Sequence, residues 1–156
     1  MKKLLPYIFI TAILFLAQSC SKGILEPDGR TVRGSDITGS WVLGETADYS
    51  GSGWRYYNTG LERGVFTFYN NGAAGYDDGY SQMTGGWGIF TSSEGYYDQY
   101  GRYRNDLHQA FRINVEDRFT NNSINLQFDN IEISYNKLIA TSYDGRTISR
   151  YIFTRY

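Results

Sequence analysis

From Ile37 onward, the sequence consists of short β-rich runs separated by Gly, Asn and Asp. Alternation of apolar and polar residues is typical of half-buried strands, and it is clearest through Phe111, Ile113 and Val115. No window of eleven or more residues carries the apolar spacing of an amphipathic helix. The pattern therefore predicts an all-β antiparallel domain of about eight strands, a sandwich or an up-and-down barrel, without a long helix after residue 36.

The strongest local signal is Asp144-Gly145, which separates two β-rich runs. A two-residue Asp-Gly connection is typical of a type I′ hairpin, and it would pair Tyr143 with Arg146. We expect one face of this hairpin to point into the core. In the predicted register that face carries Leu138, Ala140, Ser149, Tyr151 and Phe153.

The composition fits this fold class and excludes several functions. The chain has 18 Gly, 2 Pro and 15 Tyr, which suits twisted sheets with tight turns. Its net charge of −1 lacks the basic excess of a nucleic-acid-binding protein. One Cys and one His provide neither a disulfide framework nor a Cys/His metal cage. We therefore expect no nucleic-acid partner, no metal and no cofactor.

Residues 1–19 have the form of a secretory signal peptide. Lys2 and Lys3 precede an apolar run over residues 4–17, and Cys20, the only cysteine, follows shortly after it. The run is too short for a transmembrane anchor, which needs about 20 apolar residues. The position of Cys20 resembles the lipobox of bacterial lipoproteins, particularly the relaxed form found in the Bacteroidetes. The resemblance implies acylation of Cys20 and a lipid anchor; a free thiol in a secreted protein is the alternative.

Residues 20–36 are mostly polar or helix-breaking, and we interpret them as a flexible tether to a folded domain at 37–156. No acidic cluster follows Cys20. Such a cluster commonly marks surface export in Bacteroidetes lipoproteins. The resemblance therefore favours an outer-membrane lipoprotein that faces the periplasm over one exposed at the cell surface.

Four short patterns, in order, resemble small lipocalin-like lipoproteins. They are Gly39-Ser40-Trp41, the segment from Phe66 to Gly72, Gly86-Trp87-Gly88-Ile89, and the last strand with its trailing Arg155. The resemblance implies a lipocalin-like barrel in which Trp41 closes one end. It also implies that Arg155 or Arg150 packs across the Trp41 ring as a cation–π contact. The Tyr-rich connection at 92–107 departs from the family, because a tight turn is expected there; it is either a lid or a sign against the comparison.

Two functions are compatible with such a barrel. In the first, the interior holds a small apolar or amphipathic ligand. The aromatic lining would then come from Phe66, Phe68, Trp87 and Phe111. In the second, the interior is filled, and the Tyr-rich segments 49–57 and 94–103 bind an envelope protein or a glycan. Tyr56, Tyr97 and Tyr100 are candidate contacts in both cases, and an apolar cavity above about 300 Å³ would favour the first function.

The sequence favours a binding protein over an enzyme. His108 has no second His, no Cys and no nucleophile motif to act with. The acidic residues at 77–78 and 98–106 lack the spacing of a calcium loop. A carboxylate pair for glycoside hydrolysis stays open as an alternative, because spacing in the sequence does not give spacing in the fold.

Overall fold

The computed structural model describes residues 31–156, and within them the fold is almost entirely β. The predicted signal peptide, Cys20 and residues 21–30 of the predicted tether lie outside the described residues. One short helix, α1 (Gly34–Ile37), precedes the strands. The strands are β1 (Gly39–Tyr49), β2 (Trp54–Tyr56), β3 (Val65–Phe68), β4 (Ala73–Asp77), β5 (Gln82–Ser92), β6 (Tyr96–Tyr97), β7 (Tyr103–Arg104), β8 (His108–Glu116), β9 (Ser123–Phe128), β10 (Asn130–Ser134), β11 (Lys137–Tyr143) and β12 (Ile148–Arg155). Within residues 31–156, no helix has the length and apolar character needed to cross a bilayer.

Ten of these strands form one antiparallel sheet. Its order is β10-β11-β12-β1-β3-β4-β5-β8-β9. The tenth strand, β2, pairs with residues 47–49 at the C-terminal end of β1. The prediction of an all-β antiparallel domain is confirmed. The closed barrel is not found in the described part of the chain, because β9 and β10 are the two ends of the hydrogen-bonded path. Only Asp129 separates β9 from β10, too little chain for a reversal, and its N–H already donates to the Thr141 carbonyl of β11 at 2.8 Å.

The core lies on one face of this curved sheet and is built around phenylalanine. Five rings form a closed circuit of contacts, with neighbouring centroids 5.7–6.4 Å apart. Each of them is at most 1% exposed. They are Phe66, Phe68, Phe111, Phe128 and Phe153. Because β9 and β12 both contribute rings, strands far apart in the hydrogen-bonded order meet across the core, and the sheet curls around it.

Trp41 and α1 close one end of the core. Trp41 is fully buried, and its indole N–H donates to the carbonyl of Ile37 at 2.6 Å. The Arg155 guanidinium lies 4.5 Å from the centre of the Trp41 ring. It also donates to the carbonyls of Asp36 and Thr38, at 2.6 and 3.0 Å. The arginine therefore ties the end of the last strand to the helix and to the tryptophan beneath it.

The contacts of the domain begin before its first strand. Val32 is buried, and its N–H and carbonyl both bond to the side-chain amide of Gln109, at 2.7 and 2.9 Å. Within residues 31–156, Val32 of the predicted tether therefore contacts the domain, five residues before residue 37, where we predicted the folded domain to begin.

The β11–β12 hairpin forms where the sequence predicted it, but its register is shifted by two residues. Tyr143 pairs with Ile148 rather than with Arg146, which leaves a connection of four residues. The Asp144 carboxylate accepts the N–H of Arg146 at 2.9 Å, so that group is withdrawn from the strand ladder. A shift of two residues keeps every side chain on its face. The core face accordingly still carries Leu138, Ala140 and Phe153.

The connection at 92–107 is a second layer rather than a lid over the core. Its strands β6 and β7 pair as a hairpin, which contacts β11 through Thr141 and β12 through Arg150. The hydroxyl of Thr141 donates to the Tyr97 carbonyl at 2.8 Å. Thr141 follows the core residue Ala140 in β11, and successive side chains of a strand point to opposite faces. The hairpin therefore covers the outer face of the sheet, away from the phenylalanine core.

Candidate functional site

The residues predicted to line a ligand cavity contact one another instead. Phe66, Phe68 and Phe111 belong to the closed circuit of core rings. Trp87 is half-buried at its margin, 5.6 Å from the Phe68 ring, and its indole N–H donates to the Tyr69 carbonyl at 2.9 Å. The place expected for a ligand is thus occupied by aromatic side chains.

The two Tyr-rich segments, 49–57 and 94–103, meet at Arg150 of β12. The Arg150 guanidinium lies 4.2 Å from the centre of the Trp54 ring in the first segment. It also donates to the Gln99 carbonyl in the second segment, at 3.2 Å. A single cation therefore joins two segments that are far apart in the sequence.

Glu45 also contacts Arg150, and the two form a cluster with Trp54 and Gln99. Its carboxylate lies 3.0 Å from the Arg150 guanidinium, and the two side chains are 38% and 16% exposed. Because Arg150 and the core residue Phe153 differ by an odd number of positions on β12, they lie on opposite faces of the sheet. The cluster is therefore on the outer face. Arg150, the alternative partner that we considered for Trp41, lies near the opposite end of β12 from Arg155.

The turn of the β6–β7 hairpin is held by Asp98. Its buried carboxylate accepts the backbone N–H groups of Tyr100 and Arg102, at 2.9 and 3.0 Å. The side chains of Arg102 and Arg104 lie 2.9 and 3.4 Å from its other oxygen. Burial alone would raise the pKa of Asp98, but the backbone and guanidinium donors outweigh it and hold that pKa below its usual value.

Several tyrosine rings around this cluster are exposed, and together we call them the tyrosine surface. They are Tyr56, Tyr100, Tyr103 and Tyr143, with exposures of 63%, 67%, 62% and 41%. Tyr97 is half-buried, with its ring 4.6 Å from that of Tyr143 and 5.4 Å from that of Tyr103. Of the three predicted contact tyrosines, Tyr56 and Tyr100 are exposed, whereas Tyr97 supports its neighbours.

A cleft lies beside the tyrosine surface, where the sheet is interrupted. On one edge of β1, β3 pairs with residues 39–42 and β2 with residues 47–49, and neither strand pairs with residues 43–46. The segment 57–64 connects β2 to β3 across this interruption. The resulting cleft has a volume of about 290 Å³. Its lining includes Glu45, Thr46, Tyr56, Tyr57, Asn58 and Glu62.

Glu62 is fixed in this cleft by the chain that surrounds it. Its carboxylate accepts the backbone N–H groups of Thr59 and Gly60, at 2.6 and 2.8 Å, and the Thr59 hydroxyl at 2.9 Å. Burial opposes ionisation, but these donors hold the pKa of Glu62 below its usual value. The cleft is therefore lined by a carboxylate whose ionised form is stabilised by neutral hydrogen-bond donors.

Tyr57 links the cleft to the inner side of the sheet. Its hydroxyl lies 3.5 Å from that of Tyr151, which follows Arg150 in β12 and so points to the other face. Burial, with a further contribution from this hydrogen bond, raises the pKa of Tyr57. The Tyr57 hydroxyl is the donor of this hydrogen bond, and Tyr151 is its acceptor.

A second cleft adjoins the first. It has a volume of about 360 Å³ and shares Asn58 and Glu62 with its neighbour. Its lining adds Arg63, Asp78 and Tyr80, and the Tyr80 side chain is 93% exposed. Both clefts thus combine hydrogen-bonding groups with an exposed tyrosine at the border.

His108 is part of the packing beneath the β6–β7 hairpin. It is buried, its ring lies 4.0 Å from that of Tyr96, and its Nδ1 is 3.1 Å from the Asp106 carbonyl. Within residues 31–156, no group of three His, Cys, Asp or Glu side chains is placed to hold a metal ion.

Sequence reasoning found the Tyr-rich segments but missed the cleft, Glu45 and the role of Arg150. One signal was present: Gly44 stands inside β1, where the register shifts between Leu43 and Glu45. A glycine inside a strand suggests a bulge, and this bulge lies at the interruption of the sheet. The contacts of Arg150 have no local signal, because they join residues about 50 to 100 positions apart.

The fold and the site together define a β-sheet domain with a packed aromatic core and an exposed tyrosine surface beside two polar clefts. Comparison of the chain with models of protein families, with curated proteins and with solved structures found no match.

Proposed function

We propose that the domain is a noncatalytic binding domain of the cell envelope, and that it contacts a protein or glycan partner through the tyrosine surface. The observation that carries this proposal is the closed circuit of five phenylalanine rings on the inner face. With the inner face filled, a partner has to bind from outside, where Tyr56, Tyr100, Tyr103 and Tyr143 are exposed around Arg150.

The packing argues against the first of the two functions, an apolar ligand held inside. Protein interiors pack about as densely as organic crystals, with few voids larger than a water molecule. A ligand among Phe66, Phe68 and Phe111 would have to separate rings that now contact one another. A surface site needs no such rearrangement, because its rings are exposed and its supports, Asp98 and Arg150, are already bonded.

The same proposal includes a lipocalin-like relationship. The strands follow one another in chain order around the curved sheet, and β12 returns to pair with β1. Arg155 lies across Trp41 at one end, as in the family that the sequence resembles. These features support the relationship, with the sheet left open between β9 and β10.

The proposed location rests on the N-terminal sequence. A lipid on Cys20 would anchor the protein in the outer membrane, and the missing acidic cluster favours the periplasmic side. The tether would then present the tyrosine surface to partners in the envelope.

Position-resolved crosslinking in cells tests the proposed function. A benzophenone amino acid replaces Tyr56 or Tyr100 on the tyrosine surface, or Tyr135 as the matched control. Tyr135 is 98% exposed but lies in the turn between β10 and β11, away from Arg150. Benzophenone reacts with C–H bonds of proteins and of glycans alike.

We expect crosslinked adducts from Tyr56 and Tyr100 and none from Tyr135. Adducts of equal yield from all three positions, or from none, would contradict the proposal. Glycoside hydrolases that remove the added mass of an adduct identify a glycan partner, whereas peptides of a second protein in the mass spectrum of the digested adduct identify a protein partner.

A further inference from the structure

We propose that the two adjoining clefts form one binding site for a neutral oligosaccharide, with Tyr56 and Tyr80 as the rings on which successive sugar units stack. This inference rests on the proposed binding function and names its ligand class. It starts from the lining of the clefts, in which hydrogen-bonding groups and tyrosine rings occur together.

The charges at the site favour a neutral ligand. The Glu45 carboxylate is paired with Arg150, and Glu62 is held by the N–H groups of Thr59 and Gly60. The Asp78 carboxylate accepts the N–H groups of Tyr80 and Ser81 and is further stabilised by the charge of Arg63. None of the three carboxylates therefore needs a cationic ligand. Their negative charge also opposes an anionic one, because like charges in a partly buried site repel.

The hydrogen-bonding capacity of the same groups suits sugar hydroxyls. An ionised carboxylate offers about four lone-pair positions, of which the contacts in the structure use only some at Glu45. Asn58 adds an amide with both donors and an acceptor, and it lines both clefts. Hydroxyl groups both donate and accept, so a polyol can use all of these groups together.

The exposed tyrosines supply the other half of sugar recognition. The face of an aromatic ring carries partial negative charge, which attracts the C–H groups on one side of a pyranose ring. Tyr56 lines the first cleft and Tyr80 the second, with exposures of 63% and 93%. One stacking ring per cleft, with Asn58 and Glu62 shared between the clefts, is an arrangement for at least two linked units.

Calorimetric titration of the full chain tests this inference. The chain is solubilised in a detergent without a sugar headgroup and titrated with maltotriose, cellotriose, mannotriose and xylotriose, and with the monosaccharide of each. We expect saturable binding of at least one trisaccharide, tighter than binding of its monosaccharide.

Matched variants then locate the site. Tyr56→Ala and Tyr80→Ala should each weaken the affinity about tenfold, equal to about 1.4 kcal/mol, whereas Tyr56→Phe should retain it because the ring is kept. Tyr135→Ala is the control and should bind like the unaltered chain. All three positions are exposed, so thermal unfolding should be unchanged in every variant.

The inference is overturned if no trisaccharide of the panel binds saturably, or if Tyr56→Ala binds as tightly as Tyr135→Ala. In either case, the crosslinking experiment still tests the proposed binding function on its own. Protein adducts from Tyr100 without any trisaccharide binding would reject the sugar ligand alone, whereas the absence of adducts would reject the binding function itself.

Discussion

Replacing Arg150 by alanine removes three contacts that hold the tyrosine surface together. The ion pair with Glu45 is partly exposed and contributes at most about 1 kcal/mol. The cation–π contact with Trp54, at 4.2 Å and largely shielded from water, contributes about 1–2 kcal/mol. The hydrogen bond to the Gln99 carbonyl is long, at 3.2 Å, and adds about 1 kcal/mol. Only the bond to Gln99 reaches the β6–β7 hairpin, whereas Glu45 and Trp54 lie on β1 and β2, so we expect a loss of about 1 kcal/mol in the stability of the hairpin against local opening.

Native-state hydrogen exchange measures this loss locally. The reporters are the N–H groups of Asp98 and Gly101, which bond to the carbonyls of Arg102 and Asp98. A loss of about 1 kcal/mol corresponds to exchange about fivefold faster at these two positions. Amides of the β8–β9 ladder serve as an internal control and should keep their protection.

Glu45→Gln is the matched variant for this experiment, because it removes only the ion pair. Its effect on the hairpin amides should stay below about twofold, because the bond between Arg150 and Gln99 is kept. Unchanged exchange at Asp98 and Gly101 in Arg150→Ala would refute the role given to Arg150. Equal acceleration throughout the sheet would show that the hairpin does not open as a separate unit.

Three further predictions concern the end of the core, the hairpin turn and the anchor. Trp41→Ala should lower the free energy of unfolding by about 3–5 kcal/mol in a denaturant titration, because it empties a fully buried site; a loss below about 1 kcal/mol would contradict the packing seen around Trp41. The pKa of Asp98 is lower in the folded chain than in the unfolded chain, where it is about 3.9. The ionised Asp98 carboxylate therefore stabilises the fold fully above the unfolded pKa, and this stabilisation disappears as the pH falls through the folded pKa. The stability difference between the unaltered chain and Asp98→Asn should therefore shrink on acidification, and a difference that stays constant between pH 6 and pH 2 would rule this out. Cys20→Ser should move the protein from the membrane fraction to the soluble fraction, and unchanged membrane retention would disprove lipid anchoring.

The fold class could be predicted from the sequence because alternation and turn residues are local signals. The β11–β12 hairpin shows both the power and the limit of such signals. Asp144 and Gly145 mark the turn. In the folded chain the N–H groups of Arg146 and Thr147 donate to the Asp144 carboxylate and not to the opposite strand, and the sequence alone does not determine this choice. The register was therefore wrong by two residues, while the core face was right because the period of a strand is two.

For the tyrosine surface, the sequence predicts which segments are rich in tyrosine but not where they lie in the fold. The Tyr-rich segments were visible, but the hairpin at 94–104 has no alternating pattern that would place it on the outer face of the sheet. Its position is fixed by Thr141 and Arg150, which follow it by about 45 to 50 residues. The interruption between β2 and β3 is likewise set by which parts of β1 each strand pairs with, a choice that local sequence does not contain.

Titration of the lipid-free Cys20→Ser chain with Nile red tests most directly the claim that the inner face is filled and that binding belongs to the outer surface. The structure predicts no saturable increase in dye fluorescence, and no change when Ala140, fully buried on the core face, is enlarged to leucine. Saturable one-to-one binding of the dye that Ala140→Leu abolishes would show an apolar cavity inside the sheet and would contradict the account.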